Sequence, residues 1–132
     1  TCPDAPVLRR TPVIAYWSDG FTEGDGPFRA DIVVSIDSVI ATKVAMKAAH
    51  ESQYFEWIPW NWDPESAWGS LPEEQDARRQ AILKILANGS AEIAKRYTGR
   101  LPSGTAFAEA YQISEYGRTP DPEFLRTLFL TD

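Results

Sequence analysis

The sequence predicts an α/β fold in a single domain that spans all 132 residues. Two short apolar segments, at 12–17 and 30–37, are rich in β-branched and aromatic residues and indicate strands. Later segments place apolar residues three or four positions apart, which is typical of helices. A mixture of strands and helices along one chain favours an α/β architecture over an all-helical or all-β one.

The first half of the chain supplies the predicted sheet. "PVIAYW" (12–17) indicates a short buried strand, and the glycine-rich acidic segment 18–28 that follows indicates a surface loop. "ADIVVSID" (30–37) is a nearly continuous run of β-branched residues, which fits a strand covered on both faces. Two or three strands make a poor sheet without further strands beside them, so we expect the sheet to be incomplete in this chain.

A first helix is predicted over 39–52, where two adjoining apolar stripes face inward. Asp37 or Ser38 is expected to cap its N-terminus, because short polar side chains accept hydrogen bonds from the first free backbone N–H groups. The aromatic-rich segment 54–69 that follows is expected to be a loop.

A second helix is predicted to begin at Ser70, because Ser70-Leu71-Pro72-Glu73 has the spacing of a capping box. It should run to about Leu86, and Asn88-Gly89-Ser90 should break or bend it, since Asn-Gly marks turns more often than glycosylation sites. Three further elements are expected: two more helical turns at 91–97, a possible edge strand or short helix at 105–114, and an amphipathic helix at 123–129.

Composition limits the partners that the chain can bind. The net charge of −6 argues against nucleic acid, because phosphate binding needs a clustered basic surface. No apolar run approaches the roughly 18 residues of a membrane span, so none is predicted. The single cysteine, Cys2, excludes an internal disulfide and favours a reducing compartment, which predicts a cytoplasmic location.

His50 is the only histidine, and this restricts the chemistry available to the chain. With one histidine and one cysteine, a zinc site made only of these two residue types is impossible. The sequence also lacks the G-x-S-x-G elbow of serine hydrolases and a glycine-rich phosphate loop. No catalytic residue and no metal ligand is therefore predicted within this chain.

The role of His50 has three interpretations. At the end of the predicted helix, its ring can order the following loop by bonding to free carbonyls, which is the interpretation we favour. It could also line a polar ligand cleft or act directly in catalysis. Ser52 and Gln53 offer a hydroxyl and an amide that would serve the helix end equally well.

Four of the five tryptophans lie close together in the sequence. They are Trp57, Trp60, Trp62 and Trp68. Aromatic side chains in this density can stack on sugar rings or cover an interface. They can equally pack beneath the loop as a small satellite core, and this second interpretation is the one we favour.

An ordered set of motifs resembles the PIG-L/LmbE family of N-acetylglucosaminyl deacetylases. The segment "PFRADIVVSIDSVIATKVAMKAAHESQYFEWIPW" (27–60) is similar to the family's strand, "D-I-x-x-V", "K-x-x-A" and "H-x-S-Q" series. The matching positions are Asp37 (or Asp31 at the start of the strand), Val39, Lys43, Ala45 or Ala48, His50, Ser52 and Gln53. "EW-x-P-W" at 56–60 resembles the larger bacterial branch, and "FAEAYQISEYGR" (107–118) resembles a late A-E-A-[FY] segment.

The resemblance implies a zinc-dependent amide hydrolase with a Rossmann-like three-layer α/β fold that acts on N-acetylated sugar conjugates. In such enzymes a metal lowers the pKa of bound water and polarises the carbonyl. The family's His-Pro-Asp-Asp and His-Pro-Asp-His metal motifs are both absent from this chain. We therefore expect a C-terminal portion of such a fold, whose catalytic half lies upstream or in a companion fragment and supplies the zinc ligands.

Within this interpretation the chain supplies walls of the substrate cleft. The residues expected to line the cleft or order its loop are His50, Ser52, Gln53, Glu56, Trp57 and Trp60. An incomplete sheet exposes an edge, so we expect self-association or pairing with the catalytic half. The alternative is a non-catalytic carbohydrate- or protein-binding module.

Overall fold

The computed structural model describes residues 4, 6–17 and 28–129. Cys2 and the predicted loop at 18–28, apart from its last residue, lie outside the described residues. The described chain contains both helices and strands, which confirms the α/β class. It divides into two compact units: Thr1–Val34 together with Ala110–Asp132, and Ser35–Glu109.

Three strands form one sheet in the order β1-β3-β2. Their bounds are Ala15–Trp17 for β1, Ile32–Ser35 for β2 and Ala108–Ile113 for β3. β1 pairs with β3 in antiparallel register, with Ala15 opposite Ile113. The segment predicted as an edge strand or a short helix is thus the central strand of the sheet.

β2 also runs antiparallel to β3. At one end, the Ile36 N–H donates to the Phe107 carbonyl over 2.9 Å, and at the other the Ile113 N–H donates to the Asp31 carboxylate over 2.8 Å. Residue numbers therefore rise along one strand as they fall along the other. Antiparallel strands also occur at the edge of otherwise parallel sheets, so this arrangement is compatible with a three-layer α/β fold without establishing one.

The two outer strands differ in burial. Ile32 and Val33 point to opposite faces of β2, and each is only 7% exposed, which confirms that this strand is covered on both faces. The prediction of a buried first strand is wrong, because Tyr16 and Trp17 of β1 are 42% and 45% exposed. β1 is short and, among the strands that the structure describes, has a neighbour on one side only.

Around the sheet, the first unit is held by polar contacts next to β1 and β3. The buried Ser114 hydroxyl donates to the Tyr16 hydroxyl over 2.9 Å, and the Arg118 N–H donates to the Pro12 carbonyl over 2.9 Å. Gly117 allows this approach, because a Cβ there would lie 2.8 Å from the Ile14 backbone nitrogen. The predicted C-terminal helix is confirmed as α4, Pro122–Phe129.

The second unit begins with helix α1, Ile40–Ala48, which is shorter than predicted. Neither Asp37 nor Ser38 caps it, since the N-cap residue is Val39 and makes no side-chain cap. The Asp37 carboxylate instead accepts the Phe107 N–H over 2.7 Å and the Ala106 N–H over 3.1 Å. The Asp37 carboxylate thus accepts hydrogen bonds from backbone N–H groups in a distant part of the chain and not from the start of α1.

The aromatic segment is helical in its first half, so the predicted loop at 54–69 is wrong there. A π-helix covers Ser52–Trp57 and a short helix α2 covers Ile58–Asn61. The Tyr54 N–H donates to the His50 carbonyl, which restarts helical hydrogen bonding after α1. Pro59 lies in the first turn of α2, where a helix needs no proline N–H. Residues 62–69 are non-helical, as predicted.

Helix α3 is one continuous element of 22 residues, Gln75–Arg96. The predicted cap at Ser70 is wrong: the Glu74 carboxylate caps the helix by accepting from the Asp76 and Ala77 N–H groups over 2.9 and 2.7 Å. The predicted break at 88–90 is also wrong. A buried stripe runs straight through it, and its members are Ile82, Leu86, Ser90 and Ala94. Burial of this stripe outweighs the low helix propensity of Asn-Gly.

The chain leaves α3 through a short 3₁₀-helix, Thr98–Arg100, and a turn that leads into β3. Gly104 in this turn has φ +85°, a left-handed conformation that favours glycine. In the part of the chain that the structure describes, no helix has both the length and the apolar character needed to cross a bilayer.

Candidate functional site

The residues predicted to form the site lie on the short helical segment that follows α1, within the second unit. His50 ends the first turn after α1: its N–H donates to the Lys47 carbonyl over 3.0 Å. The His50 carbonyl in turn accepts from Gln53 over 3.1 Å and from Tyr54 over 3.0 Å. The backbone of His50 therefore joins α1 to the π-helix.

The His50 ring is exposed and packs edge-on against Tyr54, with 6.5 Å between ring centroids. Among the described residues, none forms a hydrogen bond with the imidazole nitrogens. The favoured interpretation expects the ring to bond to the free carbonyls of the helix end. The contacts observed at this joint come instead from the His50 backbone and from one aromatic neighbour.

Residues 52–61 present two different faces. The inward face is half-buried and apolar, with Tyr54, Phe55, Ile58 and Pro59. The outward face is exposed, and its members are Ser52, Gln53, Glu56, Trp57, Trp60 and Asn61. All the candidate side chains beyond His50 thus lie on one solvent-facing surface, which we call the outward face.

The inward face has partners within the second unit. The Tyr54 ring stacks on Trp68 with 6.5 Å between centroids, and the Arg79 guanidinium lies 4.5 Å from the centroid of the Phe55 ring. Arg79 also forms an exposed ion pair with Glu51 over 3.2 Å. These contacts join the helical segment to α3 and to the loop at 62–69. None of them involves a side chain of the outward face.

The tryptophans divide into one packed residue and three surface residues. Trp68 is half-buried beneath the Tyr54 ring, as the satellite-core interpretation expects. Trp57, Trp60 and Trp62 are 49%, 80% and 50% exposed and do not fit that interpretation. Large apolar side chains left in water on a helical surface are typical of binding sites.

A second group of polar residues lies elsewhere in the same unit: Lys43 and Lys47 of α1, Ser90 of α3 and Glu109 of β3. We call it the lysine–glutamate cluster. The Lys43 ammonium lies 2.5 Å from the Glu109 carboxylate, and the two side chains are only 17% and 16% exposed. Lys43 also donates to the buried Ser90 hydroxyl over 2.8 Å. One ammonium group thus joins two helices and a strand.

The cluster places two ammonium groups and one carboxylate close together. Burial lowers the pKa of Lys47, and the positive charge of Lys43 lowers it further, while Glu109 opposes both effects. Glu109 therefore offsets two ammonium groups in a partly desolvated region. Removing its charge would leave both lysines less well compensated.

Ser90 and Glu109 are not among the residues that the sequence predicts for a site. Ser90 belongs to the segment expected to form a turn, although it lies on a buried helical stripe with Leu86 and Ala94. Glu109 stands between two fully buried alanines, Ala108 and Ala110, so it must point to the other face of β3. That alternation is a signal that the sequence does contain.

The described residues do not fit a metal site. No three His, Cys, Asp or Glu side chains come together anywhere in 4, 6–17 and 28–129. His50 has an aromatic neighbour, and Glu109 faces ammonium groups. Zinc, which the family resemblance implies, would need ligands from elsewhere.

Comparison of the chain with protein-family models, with curated protein sequences and with solved structures finds no match. The outward face and the lysine–glutamate cluster therefore have to be interpreted from their own side chains. Together they combine a solvent-facing set of tryptophan, amide, hydroxyl and carboxylate groups with a nearly buried ion pair in the same unit.

Proposed function

We propose that this chain is the C-terminal segment of a metal-dependent amide hydrolase that deacetylates N-acetylglucosamine-type conjugates. The observation that carries the proposal is the contact between Lys43 and Glu109. Lys43 is the lysine matched to the "K-x-x-A" motif, with Met46 at the position of its alanine, and Glu109 belongs to the "A-E-A-[FY]" motif, far away in the sequence. If the resemblance were coincidental, there would be no reason for residues of two separate motifs to be in contact.

A second contact supports the same proposal. Asp37, from the motif that opens the series, accepts hydrogen bonds from the Ala106 and Phe107 N–H groups immediately before the A-E-A segment. Three motif segments are therefore joined by two polar contacts, one of them nearly buried. This is the expected behaviour of residues that specify one local structure around a site.

In this proposal the chain contributes cleft walls and no metal ligand. Since the described side chains do not fit zinc, the metal ligands and the catalytic base come from a catalytic half, upstream in the same protein or in a companion fragment. His50, Ser52 and Gln53 present an imidazole, a hydroxyl and an amide at the start of the outward face, where they would contact the sugar. We place the protein in the cytoplasm, the location that its cysteine content favours.

The proposal includes a Rossmann-like three-layer fold for the complete protein. The sheet described here has only three strands, and both β1 and β2 have a side without a neighbour in it. Strands of the catalytic half would pair at one of these edges. Self-association through the same edges is the outcome when that half is missing.

The test is an acetate-release assay on the product of the complete reading frame, supplied with zinc and an N-acetylglucosamine conjugate. We expect metal-dependent acetate release, which decreases when Gln53→Ala and Trp57→Ala are combined on the outward face. Met46→Ala, at an exposed position of α1, is the control and should leave the rate unchanged. A metal-loaded product that releases no acetate from any such conjugate contradicts the proposal.

The second candidate is a non-catalytic carbohydrate- or protein-binding module, and the exposure of Trp57, Trp60 and Trp62 favours it. The two candidates differ in what lies upstream. A reading frame that encodes a His-Pro-Asp-Asp motif before this chain supports the hydrolase. A reading frame without any such motif, together with saturable ligand binding by these 132 residues alone, supports the module.

A further inference from the structure

The outward face has a composition that folding alone does not explain. A helical surface in water normally carries polar residues, whereas here Trp57 and Trp60 are 49% and 80% exposed. The inward face already has its own aromatic partners, Tyr54 with Trp68 and Phe55 with Arg79. Trp60 and the uncovered half of Trp57 thus add apolar surface that stays in water in the described unit.

The segment that carries these rings is strongly acidic. Between Lys47 and Arg78 the chain has seven acidic residues and no lysine or arginine. Glu56 lies on the outward face itself, next to Trp57, and no described residue forms an ion pair with it. Arg79, the nearest cation along the chain that contacts this segment, is engaged by Glu51 and by the Phe55 ring on the inward side. The charge of this segment therefore favours cationic ligands over anionic ones.

The size of the aromatic surface favours a small ligand. With about 250 Å² for a fully exposed tryptophan, Trp57 and Trp60 together leave about 320 Å² in water. A standard protein–protein interface buries about 800 Å² on each partner. The patch is large enough for a few sugar rings and too small for a stable protein interface by itself.

We propose that the outward face binds amino sugars, that is, saccharides with a free, protonated amine. The apolar face of a sugar ring stacks on Trp57 or Trp60, and the ammonium group is attracted both by the ring faces and by Glu56. Gln53 and Ser52 supply an amide and a hydroxyl for the sugar hydroxyls. All five groups lie on one exposed side of residues 52–60.

This inference deepens the proposed function and rests on it for the identity of the sugar. Removing an acetyl group converts a neutral amide into an amine that is protonated at neutral pH. An acidic aromatic surface distinguishes these two forms by charge. It would retain a conjugate or polymer that already has free amines, while the acetylated unit enters the cleft.

The experiment is calorimetric titration of the 132-residue chain with a glucosamine tetrasaccharide and, separately, with the fully N-acetylated tetrasaccharide of the same length. We expect the aminated form to bind at least tenfold more tightly, and its affinity to decrease as salt increases, because exposed charges are screened. Trp60→Ala and Glu56→Gln should each weaken binding at least fivefold. Tyr116→Ala removes an equally exposed aromatic ring outside the segment and should change nothing.

Three results would overturn the inference. They are equal affinity for the two tetrasaccharides, no heat of binding with either, and a tetralysine peptide that binds as tightly as the aminated sugar, which would assign the face to a polypeptide. Circular dichroism of each variant shows whether the fold is retained, as expected for side chains this exposed. Acetate release by the product of the complete reading frame, without amino-sugar binding, refutes this inference alone. Amino-sugar binding without acetate release by that complete product refutes the proposed function alone.

Discussion

The substitution Glu109→Gln tests the lysine–glutamate cluster most sharply. It keeps the shape of the side chain and removes its negative charge, so that the Lys43 ammonium loses the carboxylate 2.5 Å away. Lys47 also loses the charge that raises its pKa against burial and against Lys43. The variant therefore leaves two ammonium groups in a partly desolvated region with less compensation.

The size of the effect follows from the burial of the pair. Breaking a fully buried ion pair costs about 3–5 kcal/mol, and breaking an exposed one costs about 0–1 kcal/mol. With side chains 17% and 16% exposed, the pair lies much nearer the buried limit. We expect Glu109→Gln to lower the free energy of unfolding by about 2–4 kcal/mol.

The assay is urea denaturation followed by circular dichroism. With a slope of about 2 kcal/mol per molar urea, the midpoint should decrease by about 1–2 M. The matched control is Glu92→Gln, which also removes a carboxylate from a lysine pair. Its pair with Lys95 is 56% and 73% exposed, so its midpoint should remain within about 0.5 M of the wild type. Equal shifts for the two variants, or no shift for Glu109→Gln, would refute the reasoning.

The remaining predictions concern α3 and the turn before β3. Gly89→Ala should stabilise the protein by about 0.5–1 kcal/mol in thermal denaturation, because Gly89 lies inside a helix and a Cβ there meets nothing within 4 Å; destabilisation would show that the helix breaks at this point. Gly104→Ala should destabilise it by about 1 kcal/mol, since φ is +85° there; Gly99→Ala is its unstrained control. Glu74→Ala should lower the melting temperature at pH 7, whereas Glu73→Ala should not. The backbone hydrogen bonds to Glu74 lower its pKa in the folded state, so its contribution is present above the unfolded pKa of about 4.3 and is lost as the pH falls through the lower folded value. A difference between the Glu74→Ala variant and the wild type that persists undiminished in strong acid would contradict this role.

The elements that the sequence predicts correctly are those whose signal is local. The β-branched run at 30–37 and the amphipathic pattern at 123–129 correspond to β2 and α4. The errors arise where tertiary packing outweighs a local signal. Asn88-Gly89 resembles a turn, yet burial of Leu86, Ser90 and Ala94 on one side keeps α3 continuous. The local capping-box signal favours Ser70, yet the Glu74 carboxylate caps the helix four positions later.

The candidate site shows the same division. His50, Ser52 and Gln53 are singled out by their place at the end of a predicted helix and again by the family resemblance. The lysine–glutamate cluster depends on long-range contacts: Ser90 lies 47 positions after Lys43. Hydrophobic periodicity and secondary-structure propensity are local properties, so they cannot predict a contact between residues this far apart in the sequence. The sequence also does not predict that Trp60 is exposed, because a large apolar side chain is expected to be buried.

The central claim is that the chain forms the walls of a substrate cleft, while a separate catalytic half supplies the metal ligands. Acetate release by these 132 residues alone, in excess zinc and with an N-acetylglucosamine conjugate, tests it most directly. The claim predicts no release above the zinc-only background, and metal-dependent release once the catalytic half is added. Turnover by the isolated chain at the rate of the complete protein would contradict it.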